Sequence, residues 1–469
     1  MSRRKKKYPI LEELTIESAG AEGKAIARHQ DQVVFVTQVV PGDVIDAQII
    51  KKKRNYLEAK PIKFHHYSEK RVTPICEHFG ICGGCKWQHM SYTDQLHYKQ
   101  QQVYDHFNRL GDFNFPDVED IVPAPETSFY RNKLEFTFSN KKWLTQDEIK
   151  SEASISHREG LGFHIPGMFD KVVHVNKCHL QSDPSNAIRN FIYDYAINKG
   201  LSFYDIRKHE GLLRTLILRS SSTGEWMLIL TTGEDNKEAI QELLHAVTIA
   251  FPQLTSVNYV INLKKNDTIF DQEVVCFHGK DYIMEEMEGI HYKIGPKSFY
   301  QTNSNQAYEL YKITREFADL KGDEVVYDLY TGTGTIANFI ARHAKKVVGV
   351  EYVPEAIEDA WVNTNNNGFE NLFFTAGDMK DVLNETFIET HGKPDIVITD
   401  PPRAGMHEDV VKQLLTMEPK KIVYVSCNPA TQARDITLLA EKYEVVRIKP
   451  VDMFPHTHHV ENVVLLKKK

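Results

Sequence analysis

From about residue 291 the chain repeats one pattern: a short apolar strand, a turn, a helix, then another apolar strand. The runs "EVVYDLY" (324–330), "KVVGVEY" (346–352), "LFFTAGD" (372–378), "PDIVITD" (394–400) and "KIVYVSC" (421–427) are near-continuous hydrophobic segments. Strands of that kind are buried on both faces, which requires helices above and below the sheet. The C-terminal part is therefore read as α/β, a doubly wound sheet. Such sheets bind ligands at the carboxyl ends of their strands, so the residues at those ends are the first candidates for function.

The 469 residues allow about three domains at roughly 150 residues each. Residues 1–66 read as a small all-β barrel, with short β-branched runs broken by Pro41-Gly42-Asp43. Residues 67–290 mix strands such as "LLRTLILRSSSTGEWMLILTT" with a helix near Lys237 to Ala250, and form a mixed α+β central domain. Residues 291–469 are the α/β domain. A polar helical stretch from Ser91 to Leu110 is expected to pack on it. No apolar run approaches the ~20 residues of a membrane span, and the basic start MSRRKKK is not followed by a signal-peptide core. A cytoplasmic protein with no membrane association is expected.

Net charge is −7, yet residues 1–70 hold 14 Lys/Arg against 9 Asp/Glu. A basic end ahead of an acidic body suits a polyanion partner. Lys51, Lys52, Lys53 and Arg54 beside Tyr56 form a basic-aromatic face of the kind that binds single-stranded nucleic acid. A solvated edge would read the same way.

The first α/β strand ends in "DLYTGTGTIA". Gly332 and Gly334 permit a tight turn and a helix N-terminus aimed at a ligand. Glu351 ends the next strand and can take both ribose hydroxyls of an adenosine. Asp378 ends the third and can meet the adenine amino group. With Ala337 the loop also satisfies G-x-G-x-x-A, so a dinucleotide is open at this point. Asp400-Pro401-Pro402-Arg403 ends the fourth strand. A D-P-P loop there is common in methyltransferases that use S-adenosylmethionine. Those that methylate an amino nitrogen usually place an aromatic residue next, and here it is Arg403.

Cys427 ends the fifth strand, on the turn Asn428-Pro429. A thiol at a ligand-binding edge suits addition to carbon 6 of a uracil, whose carbon 5 is too weak a nucleophile to take a methyl group unaided. That chemistry needs a site that favours the thiolate, and a base to remove the carbon-5 proton. Glu461 is the candidate base, a carboxylate in the apolar strand "HVENVV". His456, His458 and His459 are its rivals. These three could also hold a metal, although no cysteine or carboxylate run accompanies them. Three further cysteines, Cys76, Cys82 and Cys85, fall within ten residues and point to metal or cluster chemistry. Cys276 matches no motif and reads as packing.

With "SCNPATQARD", "DPPRAG", "FPHTHHVE" and the cysteine spacing in place, the chain resembles the RNA uracil-5-methyltransferase family over nearly its whole length. The likeness is to the branch with an N-terminal TRAM domain and an iron–sulfur cluster that acts on 23S ribosomal RNA. That resemblance implies Cys427 as nucleophile and Glu461 as base. It implies S-adenosylmethionine contacts from Gln301 in "FYQTNSNQ", Tyr330, Thr335, Glu351, Asp378 and Asp400. It makes Cys76, Cys82, Cys85 and the distant Cys178 ligands of a [4Fe-4S] cluster, although four thiolates suit zinc equally by ligand type. It makes the barrel an OB-like RNA-binding module, and offers Arg131 and Lys133 in "YRNKLEF" as RNA contacts. The implied substrate is a single-stranded or loop uridine flipped out of its stack, and a monomer without an obligate protein partner is expected. The alternatives are the same reaction on transfer RNA or at two ribosomal sites, a non-catalytic iron–sulfur RNA-binding protein, and an NAD-dependent enzyme.

Overall fold

The computed structural model describes residues 8–150 and 157–469; the basic start, residues 1–7, lies outside them. Five strands, Ile10–Ala19, Ala25–His29, Gln32–Val36, Val44–Lys52 and Tyr56–His66, close into a barrel. Alternate residues such as Ile16, Val34, Ile45 and Leu57 fill its interior, as the two-residue side-chain period of a strand dictates. The turn at Asp43 ties the barrel to the segment just beyond its last strand. Its fully buried carboxylate accepts from the Val40 and Ser68 N–H groups and from Arg71 (2.7 Å).

The middle of the chain forms a seven-stranded sheet in the order Val275–Gly279, Leu254–Ile261, Trp226–Thr232, Leu213–Ser220, Lys133–Ser139, Gly160–Ile165, Met168–His174. Helices Ser185–Lys199 and Lys237–Ala250 pack Ile188, Ile192, Leu243 and Val247 onto it.

The C-terminal sheet also has seven strands, in the order Leu372–Ala376, Lys346–Glu351, Val325–Leu329, Ile396–Thr399, Lys421–Ser426, Glu461–Lys468, Tyr443–Val451. The first five are parallel, Glu461–Lys468 runs antiparallel to them, and Tyr443–Val451 at the edge pairs antiparallel with Glu461–Lys468. Its faces feed two cores. Val326, Val347, Ile396 and Val423 meet helices Ser304–Ala318 and Thr335–Ile340 on one side. Tyr327, Val348, Val397 and Tyr424 meet helices Glu408–Met417 and Pro429–Leu439 on the other. Helix Tyr92–Leu110, capped by the Ser91 hydroxyl (3.1 Å to the Asp94 N–H), adds Val103 and Phe107 to this second core. The chain thus returns across more than three hundred residues to complete the layer. Among the described residues no helix is long and apolar enough to cross a membrane.

Val325–Leu329 is followed by neighbours on opposite sides, Lys346–Glu351 and Ile396–Thr399. The order of strands reverses there, and a crevice opens at their carboxyl ends.

Candidate active site

The glycine loop lies at that crevice. Gly332 (φ 56°) and Gly334 (φ 72°) take left-handed backbone that glycine adopts without steric cost. A Cβ on Gly332 would meet nothing within 4 Å, so this face of the loop is open. Glu351 spans the loop and the next turn: one carboxylate oxygen accepts from the Gly332 N–H and the other from Val353, each at 3.1 Å. Both oxygens keep lone pairs for further donors. Tyr330 also has positive φ, 63°, and burial pushes its hydroxyl up to about 12, with Asp435, Asp378 and Glu351 adding to the effect. Thr335 opens the helix. Its hydroxyl meets Tyr311 at 3.1 Å and its carbonyl accepts from Tyr292.

Asp378 is less free than its strand-end position implies. It caps the short helix Met379–Val382 and pairs with Lys380 (3.1 Å), which holds its carboxyl below the usual carboxylate range. Gln301 is half-buried, with its carbonyl fixed by Asn132 (2.8 Å) and its side-chain amide unbonded among the described residues.

Cys427 and Glu461 come together through one antiparallel ladder. Ser426 pairs with Asn462, and the next residue on each strand is Cys427 and Glu461. Asn462 and Gln432 lock that end: Asn462 Nδ2 donates to Gln432 Oε1 at 2.7 Å, and Gln432 Nε2 donates to the Tyr424 and Asn462 carbonyls. The D-P-P loop is pinned alongside, since the Arg403 carbonyl accepts from Asn428 Nδ2 (2.9 Å) and the Thr431 hydroxyl (3.2 Å). The Arg403 side chain is exposed and has no ion-pair partner among the described residues.

Three carboxyls cluster at this crevice, and none has an ion-pair partner among the described residues. Burial pushes Asp328 and Asp400 up to about 7, and each is raised further by another acid, Glu351 and Asp328 respectively. Glu461, 6% exposed, is pushed up to about 8 by burial and then by Asp400, with only Arg403 opposing. The same surroundings correct the expectation of a favoured thiolate. Burial, Glu461 and Asp400 push the Cys427 thiol up to about 11. The folded site keeps it protonated chiefly through burial, with the neighbouring acids Glu461 and Asp400 adding to the effect.

This donor set fits an adenosine carrying a cationic sulfonium: an open glycine loop, a strand-end carboxylate with lone pairs to spare, and a buried Asp328 oxygen with no partner beside Asp400. Sequence reasoning misses Asp328 and Tyr311, although Asp328 carries the same signal as Glu461, a carboxylate inside an apolar strand. Gly334→Ala tests the cradle. An added Cβ would sit 3.0 Å from Ala360 Cβ and Phe374 Cζ at a positive φ, so we expect a loss of about 1–3 kcal/mol of stability and weaker S-adenosylmethionine binding by calorimetry. An unchanged melting midpoint would refute it.

The rival histidines do not match Glu461 as bases. Burial depresses His456 and His458 to about 4, with Lys99 next, and His459 to about 3, with His458 next. They are neutral at pH 7 and far weaker proton acceptors than a carboxylate at about 8.

The four clustered cysteines line one cavity of about 370 Å³, with Arg131, Lys133 and Thr457 also in its wall. None is in a disulfide. Burial raises all four thiols, Cys82 to about 11 and Cys85 to about 12, and most are raised further by one another. Among the described residues no three His, Cys, Asp or Glu side chains stand close enough to grip one metal ion. This holds for the histidine trio and for the four cysteines alike. Arg189, buried near Cys178, leaves Nε and Nη1 without partners. Cys276 is exposed on the edge strand Val275–Gly279, not packed as its lack of a motif suggested. On the barrel, Lys51 pairs with Glu58 (3.0 Å), whereas Lys52, Lys53 and Arg54 project without an ion-pair partner among the described residues. Arg131 stacks on Phe454, 5.0 Å from the ring centre.

Residues 233–469 match a family described as tRNA (Uracil-5-)-methyltransferase, and residues 12–62 match the TRAM domain. A relative from Bacteroides thetaiotaomicron, described as an uncharacterized RNA methyltransferase, is 58% identical over 95% of this chain and 99% of its own length. One from Chlorobaculum tepidum with the same description is 39% identical over 97% and 96%. The crystal structure of Pyrococcus abyssi tRNA (uracil-54, C5)-methyltransferase in complex with S-adenosyl-L-homocysteine is similar with a TM-score of 0.75. It is 28% identical, over 96% of this chain and 99% of that one.

Proposed function

Since the chain belongs to the tRNA (uracil-5-)-methyltransferase family, we propose that it methylates carbon 5 of a uridine in 23S ribosomal RNA, in the cytoplasm, with S-adenosylmethionine as donor. The observation that carries the chemistry is the ladder end that sets Cys427 beside Glu461, next to Asp400. S-adenosylmethionine supplies an electrophilic methyl group on a sulfonium. Glu351 would hold its ribose, Asp378 its adenine, and Asp400, Tyr330, Thr335 and Gln301 the rest of the molecule.

Cys427 gives up its proton to solvent water, and its sulfur bonds to carbon 6 of the flipped uracil. The electrons of the 5,6 double bond move toward carbon 4, and carbon 5 becomes nucleophilic and acquires the methyl group. Glu461 then takes the carbon-5 proton, the double bond reforms and the sulfur leaves. A carboxylate at about 8 is a stronger base than an ordinary one, at the cost that roughly a tenth is ionised at pH 7.

The four-thiol cavity is the support for the ribosomal branch. We propose that Cys76, Cys82, Cys85 and Cys178 bind a four-iron, four-sulfur cluster, which holds its thiolates farther apart than one ion does. Thiolates on an iron cluster carry negative charge, and Arg189, buried near Cys178, keeps Nε and Nη1 without partners among the described residues while its Nη2 donates to the Asn176 carbonyl (2.7 Å). Iron and acid-labile sulfide assays test this directly.

The Pyrococcus likeness favours a second reading, transfer RNA, because it spans both the barrel and the catalytic part. Incubation with 5-fluorouridine versions of 23S ribosomal fragments and of transfer RNA separates the two, since fluorine replaces the proton that Glu461 removes. We expect a denaturation-resistant adduct on a ribosomal fragment. Capture of transfer RNA alone would overturn the substrate.

A further inference from the structure

The Glu461 carboxyl has no hydrogen-bond partner among the described residues. Its aim is therefore inherited from its backbone. Downstream the ladder fixes it. Upstream it ends a loop, residues 452–460, whose two mouths meet where Val451 pairs with Glu461. What holds this loop comes from distant parts of the chain. Lys99, on helix Tyr92–Leu110, enters it and donates to Asp452 Oδ1 (2.5 Å) and to the Phe454 carbonyl (3.0 Å). Both Lys99 and Asp452 are 0% exposed. Tyr92, on the same helix, donates to the other Asp452 oxygen at 2.8 Å, and Gln95 accepts from the His456 N–H at 2.8 Å.

We propose that Lys99, through Asp452, is the positioning residue for the catalytic base. Without a buried ion pair, a loop of this length could pack in several registers. A buried ammonium that must satisfy one carboxylate and one carbonyl permits only one. Helix Tyr92–Leu110 thereby sets where the Glu461 carboxyl points, although it touches no reacting atom. This rests on Glu461 being the base.

The test uses full-length protein and the RNA fragment that the wild-type enzyme captures in its 5-fluorouridine form. Lys99→Met is expected to lower turnover on the ordinary uridine fragment roughly 10²-fold, with KM for RNA changed less than threefold. Addition and methylation still proceed while elimination stalls, so a methylated protein–RNA adduct accumulates on ordinary uridine, which a merely weakened fold would not produce. Turnover within threefold of wild type would overturn the proposal. If Lys99→Met loses its far-ultraviolet dichroism, Asp452→Asn and Tyr92→Phe decide. Native dichroism with the same stalled adduct supports the proposal, and wild-type turnover in both refutes it. Failure of the wild-type enzyme to capture any 5-fluorouridine RNA would instead overturn the functional reading beneath it.

Discussion

Cys427→Ala should yield a folded protein that neither methylates RNA nor forms an adduct with 5-fluorouridine RNA. Carbon 5 of uracil acquires nucleophilic character only after addition at carbon 6, and the alanine variant has no atom to make that bond. Loss of a nucleophile typically costs several orders of magnitude, and here we expect methyl transfer to fall on the order of 10⁴-fold or more. The fold should hardly notice. The side chain is half-buried at a strand end, and removing one sulfur there costs about 1 kcal/mol. The Asn428 cap and the Gln432–Asn462 lock remain, so the loss of activity should come without loss of S-adenosylmethionine binding. Measured methyl incorporation within tenfold of wild type would eliminate Cys427 as the nucleophile.

The strand ends are legible because each is announced by a local pattern: an apolar run, then a glycine loop, a D-P-P turn or a thiol before Asn-Pro. Glu461 is legible for the same reason, as a carboxylate in an apolar strand. The electrostatics of the site are not. Cys427 is held as a thiol first by burial and then by Glu461 and Asp400 beside it, and strand pairing, not spacing in the sequence, brings these together. Asp378 stands at the expected strand end, yet the capping of the adjoining short helix and the Lys380 contact depend on side-chain geometry. The partnership of Lys99 with Asp452 spans 353 positions. Neither residue belongs to a local pattern: the Ser91–Leu110 helix packs on the α/β domain as expected, but nothing in the sequence says which of its side chains meets the loop at Asp452.

The second large effect is that of Glu461→Gln, in which methylation should occur once and then stop. Glutamine cannot accept the carbon-5 proton, so the sulfur cannot leave and a methylated adduct should accumulate on ordinary uridine. Turnover should fall by about 10²–10⁴-fold, the usual contribution of a positioned base. The wild-type rate should rise with pH and show an inflection near 8, where the carboxyl is half ionised, and the residual rate of the variant should lose that inflection. A second readout needs no RNA. The folded state raises this carboxyl from 4.5 to about 8, so between those values it binds more protons than the unfolded chain. Stability then falls as pH rises through that window. Glutamine abolishes the penalty, and the variant should melt progressively higher than wild type as pH moves from about 4.5 to about 8, by up to a few kcal/mol. A melting difference that does not change with pH would mean that Glu461 is not held protonated by its burial. Turnover without a trapped adduct would pass the base to another group.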